Sequence, residues 1–314
     1  MSLTNVAELE QNIRRLFCAE EITASLQKHF ILPIAFSVVL AIFAIVGNIL
    51  ILIALHKQRS LHPPSRLLLR SLAVSDLLVG IVAEPARVAY WISLENKSWN
   101  VCAYFFDVGH VTSVVLCNVT LSIVTAISVD RLLALLLGLR YRQVATVERV
   151  YVVVISLWIF SIFHVSFSFL NFEVWVIFEL ATISLCLGTS ICCYTTIFLK
   201  LRRRQPRAFA VSIQERDNQT IELDLVPYRR AVFTALWVQF TLVVSYLPYI
   251  LVAPFAYREV QMRRSSAFLL AEEIAIVFLY SSSSFNPILL YWRITELRQA
   301  LNETLRQWFC HPNQ

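Results

Sequence analysis

Seven long apolar stretches dominate this 314-residue chain and leave few folds open to it. The first runs without a charge for the 26 residues that follow His29. A helix needs about 20 mostly apolar residues to cross the roughly 30 Å hydrocarbon layer of a bilayer. This pattern predicts an all-α fold, an integral membrane bundle of seven transmembrane helices. The stretches cover residues 30–55, 67–92, 102–130, 150–171, 174–199, 231–256 and 266–292.

The composition excludes several other classes of protein. With 58% apolar and 15% charged residues, the chain has too few charges to coat a soluble protein of its length. Its five glycines lie too far apart to form a phosphate-binding loop. The histidines lack the spacing of a zinc site, and no GxSxG element accompanies Ser281–Ser284. We therefore expect a protein that is not an enzyme and has no nucleic-acid partner.

The basic residues predict which parts of the chain face the cytoplasm. Nineteen of the 27 Lys and Arg residues lie in or beside the first, third and fifth loops or in the tail. Because cytoplasmic loops are enriched in Lys and Arg, the N-terminus is expected outside and the C-terminus inside. We expect a multi-pass protein of the cell membrane. It would comprise an extracellular tail (1–29), a seven-transmembrane domain (30–292) and a cytoplasmic segment (293–314).

The segment from Arg293 to Cys310 has a different pattern from the seven spans. Its apolar residues recur at three- and four-residue steps, with charged residues between them. This spacing is typical of an amphipathic helix that lies along the inner face of the membrane. Cys310 at its end is a candidate for palmitoylation, and the alternative is an ordinary cytosolic thiol.

Polar residues inside the apolar spans are costly and are usually functional. Asp76 stands in the middle of the second span, so its carboxyl group must be protonated, hydrogen-bonded or close to a cation. The alternative to a functional site is a structural polar cluster that holds helices together. The candidate partners of Asp76 from other spans are Asn48, Thr120, Ser282, Ser283 and Asn286.

Two further features lie at or near the ends of spans. Asp130 and Arg131 end the third span, where the alternative to a functional role is a helix-end pair that reaches water. Pro248 and Pro287 lie within the sixth and seventh spans, where each removes a backbone hydrogen bond and allows a kink. Such a kink can be a static shape or a hinge.

The chain resembles the rhodopsin-like (class A) G-protein-coupled receptors, because these features occur in the order typical of that family. The matching segments are GNILILIAL, LAVSDLL, AISVDR and NPILLY, together with Trp99, Trp158, Tyr194 and Pro248. The resemblance covers about residues 30–310 and is nearest to the melanocortin, adenosine, cannabinoid and lysophospholipid group. It implies a receptor that converts the binding of an extracellular ligand into activation of a heterotrimeric G protein.

The resemblance also implies roles for individual positions. It makes Asp76 the metal ligand of a sodium-binding pocket, so a structural sodium ion is the one cofactor that is implied. The residues matched to that pocket are Asn48, Asp76, Thr120, Ser282, Ser283 and Asn286. Those matched to G-protein coupling are Asp130, Arg131 and Tyr194, and those matched to the hinge are Tyr246, Pro248 and Pro287.

Some positions depart from the family pattern. Leu132, Tyr246 and Leu290 stand where the family usually has Tyr, Trp and Tyr. These departures leave open a non-signalling receptor that acts as a scaffold or decoy. A transporter is less favoured because the two halves of the chain show no inverted repeat, although proton transfer through Asp76 stays open.

The loop between the fourth and fifth spans is nearly absent, which suggests an open extracellular mouth. Opposed charges near it, with Arg87 and Glu273 among them, favour a peptide or a small charged or polar ligand. The alternative is that these side chains reach the lipid headgroups. The resemblance argues against a biogenic amine or retinal, because Ser113 and Tyr280 replace the required aspartate and lysine. The candidate pocket residues are Glu84, Asp107, His110, Ser113, Cys117, Tyr246, Glu272 and Tyr280.

Two features of the expected extracellular surface concern covalent modification. Cys18 and Cys102 are the two cysteines expected outside, and a disulfide between them would tie the tail over the bundle. Spacing cannot establish such a pairing, so two free thiols stay open as the alternative. Asn96 begins an Asn-Lys-Ser sequon in an outside loop and is a candidate glycosylation site.

Overall fold

The structure is a computed structural model that describes residues 17–18, 31–57, 61–214, 237, 239–255, 266–294 and 297–302. All regular secondary structure in these ranges is helical, which confirms the all-α prediction. Seven long helices follow one another in the described chain. They are α1 (Ile31–Lys57), α2 (Pro63–Leu78, a π-helical turn Val79–Ala83 and Glu84–Glu95), α3 (Trp99–Leu137), α4 (Val147–Leu170), α5 (Phe172–Gln214), α6 (Gln239–Phe255) and α7 (Ser266–Arg293).

Five of these helices, α1, α3, α4, α5 and α7, are long and apolar enough to cross a membrane, judged by length and composition over the described residues. The π-helical turn divides α2 into two shorter segments, and the described part of α6 is also shorter. These helices agree with the prediction of a multi-pass membrane bundle.

The distribution of side chains in α1 is the reverse of that in a soluble protein. Large apolar side chains such as Leu32, Phe36 and Phe43 are exposed on its outer surface. The polar side chains of Ser37 and Asn48 are fully buried against the other helices. This arrangement suits a lipid environment, since lipid solvates the exposed apolar surface while polar side chains lie in the bundle interior.

The third helix is central to the bundle, where α3 packs against α2, α4 and α5. On the other side, α1 packs against α2 and α7. The approach of α1 to α7 depends on Gly47, because a Cβ atom added there would lie 2.8 Å from Cγ of Pro287. Small residues at such crossings let helix backbones come close together.

Two short helical segments adjoin the bundle. Residues 141–144 (Tyr141–Val144) form a four-residue helix after α3, which ends at Gly138 with a positive φ of 54°. Residues 297–302 are helical, and Leu297, Ala300 and Leu301 are buried against the bundle. This is the described part of the predicted amphipathic segment. The candidate palmitoylation residue Cys310 lies outside the described residues.

Candidate functional site

The two ends of α3 mark the two ends of the candidate site. Cys102 lies in the first turn of α3, and Asp130 lies near its other end. Because an α-helix rises about 1.5 Å per residue, these two positions are about 40 Å apart along the helix axis. We call the end of the bundle that contains Cys102 the cavity end, because a cavity described below lies there. The opposite end is called the Asp130 end.

A network of hydrogen bonds around Asp76 joins three helices between these ends. Oδ1 of Asp76 accepts hydrogen bonds from the hydroxyls of Thr120 on α3 (3.0 Å) and Ser283 on α7 (2.8 Å). Oδ2 accepts from Nδ2 of Asn286 on α7 at 2.8 Å. The Thr120 hydroxyl also lies 3.0 Å from that of Ser75. All of these groups are buried, so the network is a polar hub within the apolar bundle.

Asn48 extends the hub to α1. Its Nδ2 donates to the backbone oxygens of Ala44 (2.8 Å) and Ser283 (3.2 Å). Its Oδ1 atom is buried and has no hydrogen-bond partner among the described residues. Ser282 was predicted in the same pocket, but its hydroxyl donates to Leu279 of its own helix at 2.7 Å. The structure therefore joins Asp76, Thr120, Ser283 and Asn286 through direct side-chain hydrogen bonds, with Asn48 bonded to the backbone of Ser283 and Ser282 beside them.

The oxygen atoms of the hub are suitable ligands for one monovalent cation. Carboxylate, hydroxyl and amide oxygens are the ligands that hard cations prefer. The unpaired Oδ1 of Asn48 is an available oxygen at the edge of the hub. No group of three or more His, Cys, Asp or Glu side chains that could hold a metal occurs within the described ranges. One carboxylate with neutral oxygens suits a monovalent ion better than a divalent one.

Asp130 is buried at the other end of the bundle, and is not a side chain that reaches water. Its Oδ1 accepts a hydrogen bond from the hydroxyl of Tyr141 at 2.6 Å, and its Oδ2 accepts from that of Ser65 at 2.9 Å. Ser65 lies in the first turns of α2, and Tyr141 lies in the short helix after α3. The Asp130 carboxyl group therefore joins α2, α3 and the following connection.

The other two residues predicted for coupling lie in different settings. Arg131 follows Asp130 on α3 and is half-buried. Tyr194 on α5 is buried, and it belongs to the same apolar core as Leu121 and Ile127 of α3. The three predicted residues thus lie on α3 and α5 at the Asp130 end.

A cavity at the other end lies among α2, α3, α5, α6 and α7. Its volume is about 70 Å³, room for a few water molecules, whereas sites for drug-sized ligands have roughly 300–1,000 Å³. A ligand must therefore be small or must widen the cavity. Five predicted pocket residues line it, namely His110, Ser113, Cys117, Glu272 and Tyr280. The hydroxyls of Ser113 and Tyr280 are hydrogen-bonded to each other.

Three residues predicted for the pocket do not line the cavity. Glu84 is fully buried directly after the π-helical turn of α2, which shifts the phase of the helix relative to a regular one. Tyr246 is buried between helices, where its hydroxyl donates to the backbone oxygen of Cys117 at 3.2 Å. Asp107 is half-buried on α3 outside the cavity lining.

Charged residues that the candidate set omitted also line the cavity. Arg87 donates from Nη1 to Oε1 of Glu273 at 3.2 Å, and Trp91 donates to Oε2 of the same carboxylate at 3.0 Å. Glu179 on α5 is a further carboxyl group of the lining. Arg87 and Glu273 could be anticipated from their charge near the expected mouth. In the sequence, Glu179 is marked only as a single charged residue five positions after the start of the apolar stretch 174–199.

The N-terminal tail reaches the cavity through Cys18, which forms a disulfide with Cys102. This bond holds Phe17 over the bundle, where its ring stacks on Phe106 with centroids 4.7 Å apart. The hydroxyl of Tyr90 donates to the backbone oxygen of Phe17 at 3.2 Å. Phe17 consequently forms part of the cavity lining.

The remaining predicted residues lie in plausible positions for their roles. Pro248 is half-buried within α6, and Pro287 is buried within α7 against Gly47. Asn96 is exposed in the turn between α2 and α3. 

Comparisons with known proteins find similarity to seven-transmembrane receptors. The sequence model of the 7 transmembrane receptor (rhodopsin family) matches residues 47–190. Dopamine receptor 4 of Caenorhabditis elegans is 29% identical over 48% of this chain and 29% of that receptor. Melanocortin receptor 5 of Homo sapiens is 24% identical over 85% of this chain and 82% of that receptor. Histamine H2 receptor of Cavia porcellus is 29% identical over 43% of this chain and 36% of that receptor.

These relatives limit the finer predictions. They include receptors named for dopamine and histamine, so they do not support the expected exclusion of biogenic amines. They also come from more than one receptor group, so the expected nearest group is not confirmed. The family match over residues 47–190, the receptor relatives and the all-helical membrane bundle together make this chain similar to the seven-transmembrane receptors of the rhodopsin family.

Proposed function

We propose that the protein is a G-protein-coupled receptor that converts ligand binding at the cavity end into G-protein activation at the Asp130 end. The observation that carries this proposal is the Asp76 hub, which links α2, α3 and α7 between the two ends. A buried polar network of this kind can take two discrete arrangements, since each exchange of partners must keep its polar groups satisfied. A ligand then shifts the equilibrium by binding one arrangement better than the other.

The moving element in this mechanism is α6. Pro248 lacks a backbone N–H, so it weakens the helix at that point and allows it to bend. Two residues before Pro248, the Tyr246 hydroxyl holds α6 to the Cys117 backbone oxygen of α3. Outward movement of α6 would break this bond and open a crevice at the Asp130 end. Arg131, with Tyr194 from α5, would then contact the G protein.

A sodium ion at the hub would favour the resting arrangement. Asp76 would supply the charged ligand, and the oxygens of Asn48, Thr120, Ser283 and Asn286 would complete the set. The cation offsets the cost of a buried carboxylate. Its presence would therefore stabilise the packing in which α2, α3 and α7 remain close.

The proposed orientation has the N-terminus outside the cell membrane and the C-terminus in the cytoplasm. Basic residues next to described helix ends support it, since Arg66 follows Ser65, which contacts Asp130, and Arg140 and Arg142 lie in the segment that follows α3. In this orientation the exposed Asn96 is accessible to glycosylation and Cys310 to palmitoylation. Melanocortin receptors are the proposed nearest group, because the melanocortin match extends over most of this chain.

The test is expression of the full chain in cells with sensors for each class of G protein. We expect a basal signal above that of untransfected cells, which Arg131→Ala abolishes at equal surface expression. Arg140→Ala is the matched control, because Arg140 is exposed in the turn after α3. Absence of any signal from a receptor present at the surface, with or without the cationic probes named below, would contradict the proposal.

A non-signalling receptor is the second candidate function, and one observation favours it. Leu290 is buried where the family usually has tyrosine, while the hydroxyl of Tyr291 donates to Asn302 at 3.2 Å. Tyr291 therefore contacts the helix 297–302 and contributes no hydroxyl to the bundle interior. Ligand uptake at the cell surface without a signal from any sensor would support this second candidate.

A further inference from the structure

Four charged side chains line the cavity, and two of them neutralise each other. Arg87 and Glu273 are both buried and form an ion pair 3.2 Å long, with Trp91 as a second donor to Glu273. A buried pair with satisfied partners is a stable unit, and removal of either member would leave an uncompensated charge. This pair therefore offers little net charge to a ligand. The charged groups of the lining that remain available to a ligand are the carboxyl groups of Glu179 and Glu272.

Glu179 is held in place with one oxygen still available. Its Oε2 atom accepts a hydrogen bond from Nδ2 of Asn118 on α3 at 2.9 Å and lies 3.4 Å from Nδ1 of His164 on α4. Its Oε1 atom has no hydrogen-bond partner among the described residues. The side chain is more than nine-tenths buried and lines the cavity. Oε1 is not among the side-chain oxygens that are fully enclosed without a partner, so it is open to the cavity and a donor group of a ligand can reach it.

Glu272 contributes a second carboxyl group from α7. It lines the cavity and makes no hydrogen bond or ion pair with any residue in the described ranges. Tyr249 on α6 is part of the same cavity lining as Glu179 and Glu272. The two carboxyl groups therefore belong to one continuous site.

The aromatic part of the lining also suits a positive ligand. Phe17, Phe106, Trp175 and Tyr249 contribute rings to the cavity wall. Aromatic faces attract cations, most strongly when water is excluded, and their area accommodates the apolar body of a small ligand.

We propose that the ligand is a cation whose positive group binds Oε1 of Glu179, with Glu272 as the second carboxylate. This inference rests on the proposed function, and narrows it to ligands with an ammonium or guanidinium group on a compact, partly apolar body. The argument against a biogenic amine was that Ser113 replaces the aspartate of amine receptors. Glu179 on α5 supplies a carboxylate to the same cavity, so an amine ligand is no longer excluded by that replacement. Because Glu273 already neutralises Arg87, an anionic group of the ligand would gain little binding energy from this arginine.

The test measures thermal stability of the full-length receptor in an uncharged detergent, with no G protein present. Three probes share a phenyl-ethyl body: 2-phenylethylamine is a cation, 2-phenylethanol is neutral and 3-phenylpropanoate is an anion. Agmatine adds a guanidinium group. At about 10 mM, enough to saturate a site with a Kd near 1 mM, we expect the two cations alone to raise the unfolding temperature.

Variants connect this effect to the two carboxyl groups. Glu179→Gln retains a side-chain oxygen for Asn118, and we expect it to raise the Kd of 2-phenylethylamine at least about tenfold. Glu272→Gln should weaken binding as well, and it provides a second variant if Glu179→Gln does not fold. Glu148→Gln, which removes an exposed charge at the start of α4, is the matched control and should leave the Kd unchanged.

The possible results separate this inference from the proposed function. Equal stabilisation by the neutral or anionic probe, unchanged cation binding in Glu179→Gln, or no stabilisation by either cation would overturn the inference. A basal signal that depends on Arg131 would still support the receptor in each of these cases. Conversely, Glu179-dependent cation binding without any G-protein signal would support the inference and contradict the coupling function.

Discussion

Gly47 allows α1 and α7 to pack closely, because it has no side chain toward Pro287. An added Cβ atom would lie 2.8 Å from Cγ and 2.9 Å from Cβ of the proline ring, closer than real contacts of this kind. The ring cannot rotate away, so the helices themselves must separate. We expect Gly47→Ala to destabilise the receptor by about 1–3 kcal/mol, measured as a lower unfolding temperature in detergent.

Gly188 provides the matched control for this substitution. It lies on the exposed side of α5, and nothing lies within 4 Å of the position a Cβ atom would take. Gly188→Ala should leave the unfolding temperature unchanged or raise it slightly, since alanine favours the helix. An equal effect of the two variants would show that the contact with Pro287 does not limit packing.

Individual polar residues were predictable when they stood out from an apolar span. Asp76 and its partners could be identified because polar groups in such spans are few and must satisfy one another. Glu179 was missed, since helical spacing does not determine whether a charge near a span end faces lipid, headgroups or a cavity. The contact of Asp130 with Tyr141 depends on how the chain turns after α3, and no spacing in the sequence indicates that turn.

The helical elements were more predictable than their irregularities. Each apolar stretch corresponds to a helix, because length and hydropathy determine whether a segment can span a bilayer. The π-helical turn Val79–Ala83 had no signal in the sequence, although it changes the phase of α2 relative to a regular helix. Arg87 lines the cavity and Glu84 does not, although both belong to the regular segment Glu84–Glu95 that follows this turn.

The Asp76 hub joins three elements, so its effect should appear as a sodium-dependent stability of the bundle. We expect the unfolding temperature to be higher in sodium chloride than in equal potassium chloride. The difference would correspond to about 1 kcal/mol once sodium exceeds its Kd several-fold. Asp76→Asn should abolish the difference, because the neutral amide removes the charge that holds the ion. Thermal unfolding in the two salts measures both effects.

Asp107→Asn is the matched control for Asp76→Asn, because it also removes one carboxylate from the bundle but does so on α3, outside the hub. Asp107 lies on α3 about four turns from Thr120, outside the hub, so the sodium effect should persist in this variant. A wild-type receptor with equal stability in both salts would exclude the proposed ion. A sodium effect that survives in Asp76→Asn would assign the ion to another site.

At the scale of the whole molecule, the disulfide between Cys18 and Cys102 connects the N-terminal tail to the central helix across 84 positions of sequence. A crosslink over a long segment restricts the unfolded chain strongly and typically contributes about 2–4 kcal/mol. We expect Cys18→Ser to lower the unfolding temperature accordingly. Reducing agent should lower that of the wild type to the same level and leave the variant unchanged.

Cys192→Ser is the appropriate control, because Cys192 is exposed on α5 and is not part of a disulfide. It should behave like the wild type with and without reducing agent. The Cys18→Ser variant should also bind 2-phenylethylamine more weakly, because the bond holds the Phe17 ring against Phe106 in the cavity wall. Stability loss with unchanged probe binding would mean that the tail strengthens the bundle without forming part of the ligand site. Loss of both would connect the tail, the cavity and the bundle in one cooperative unit.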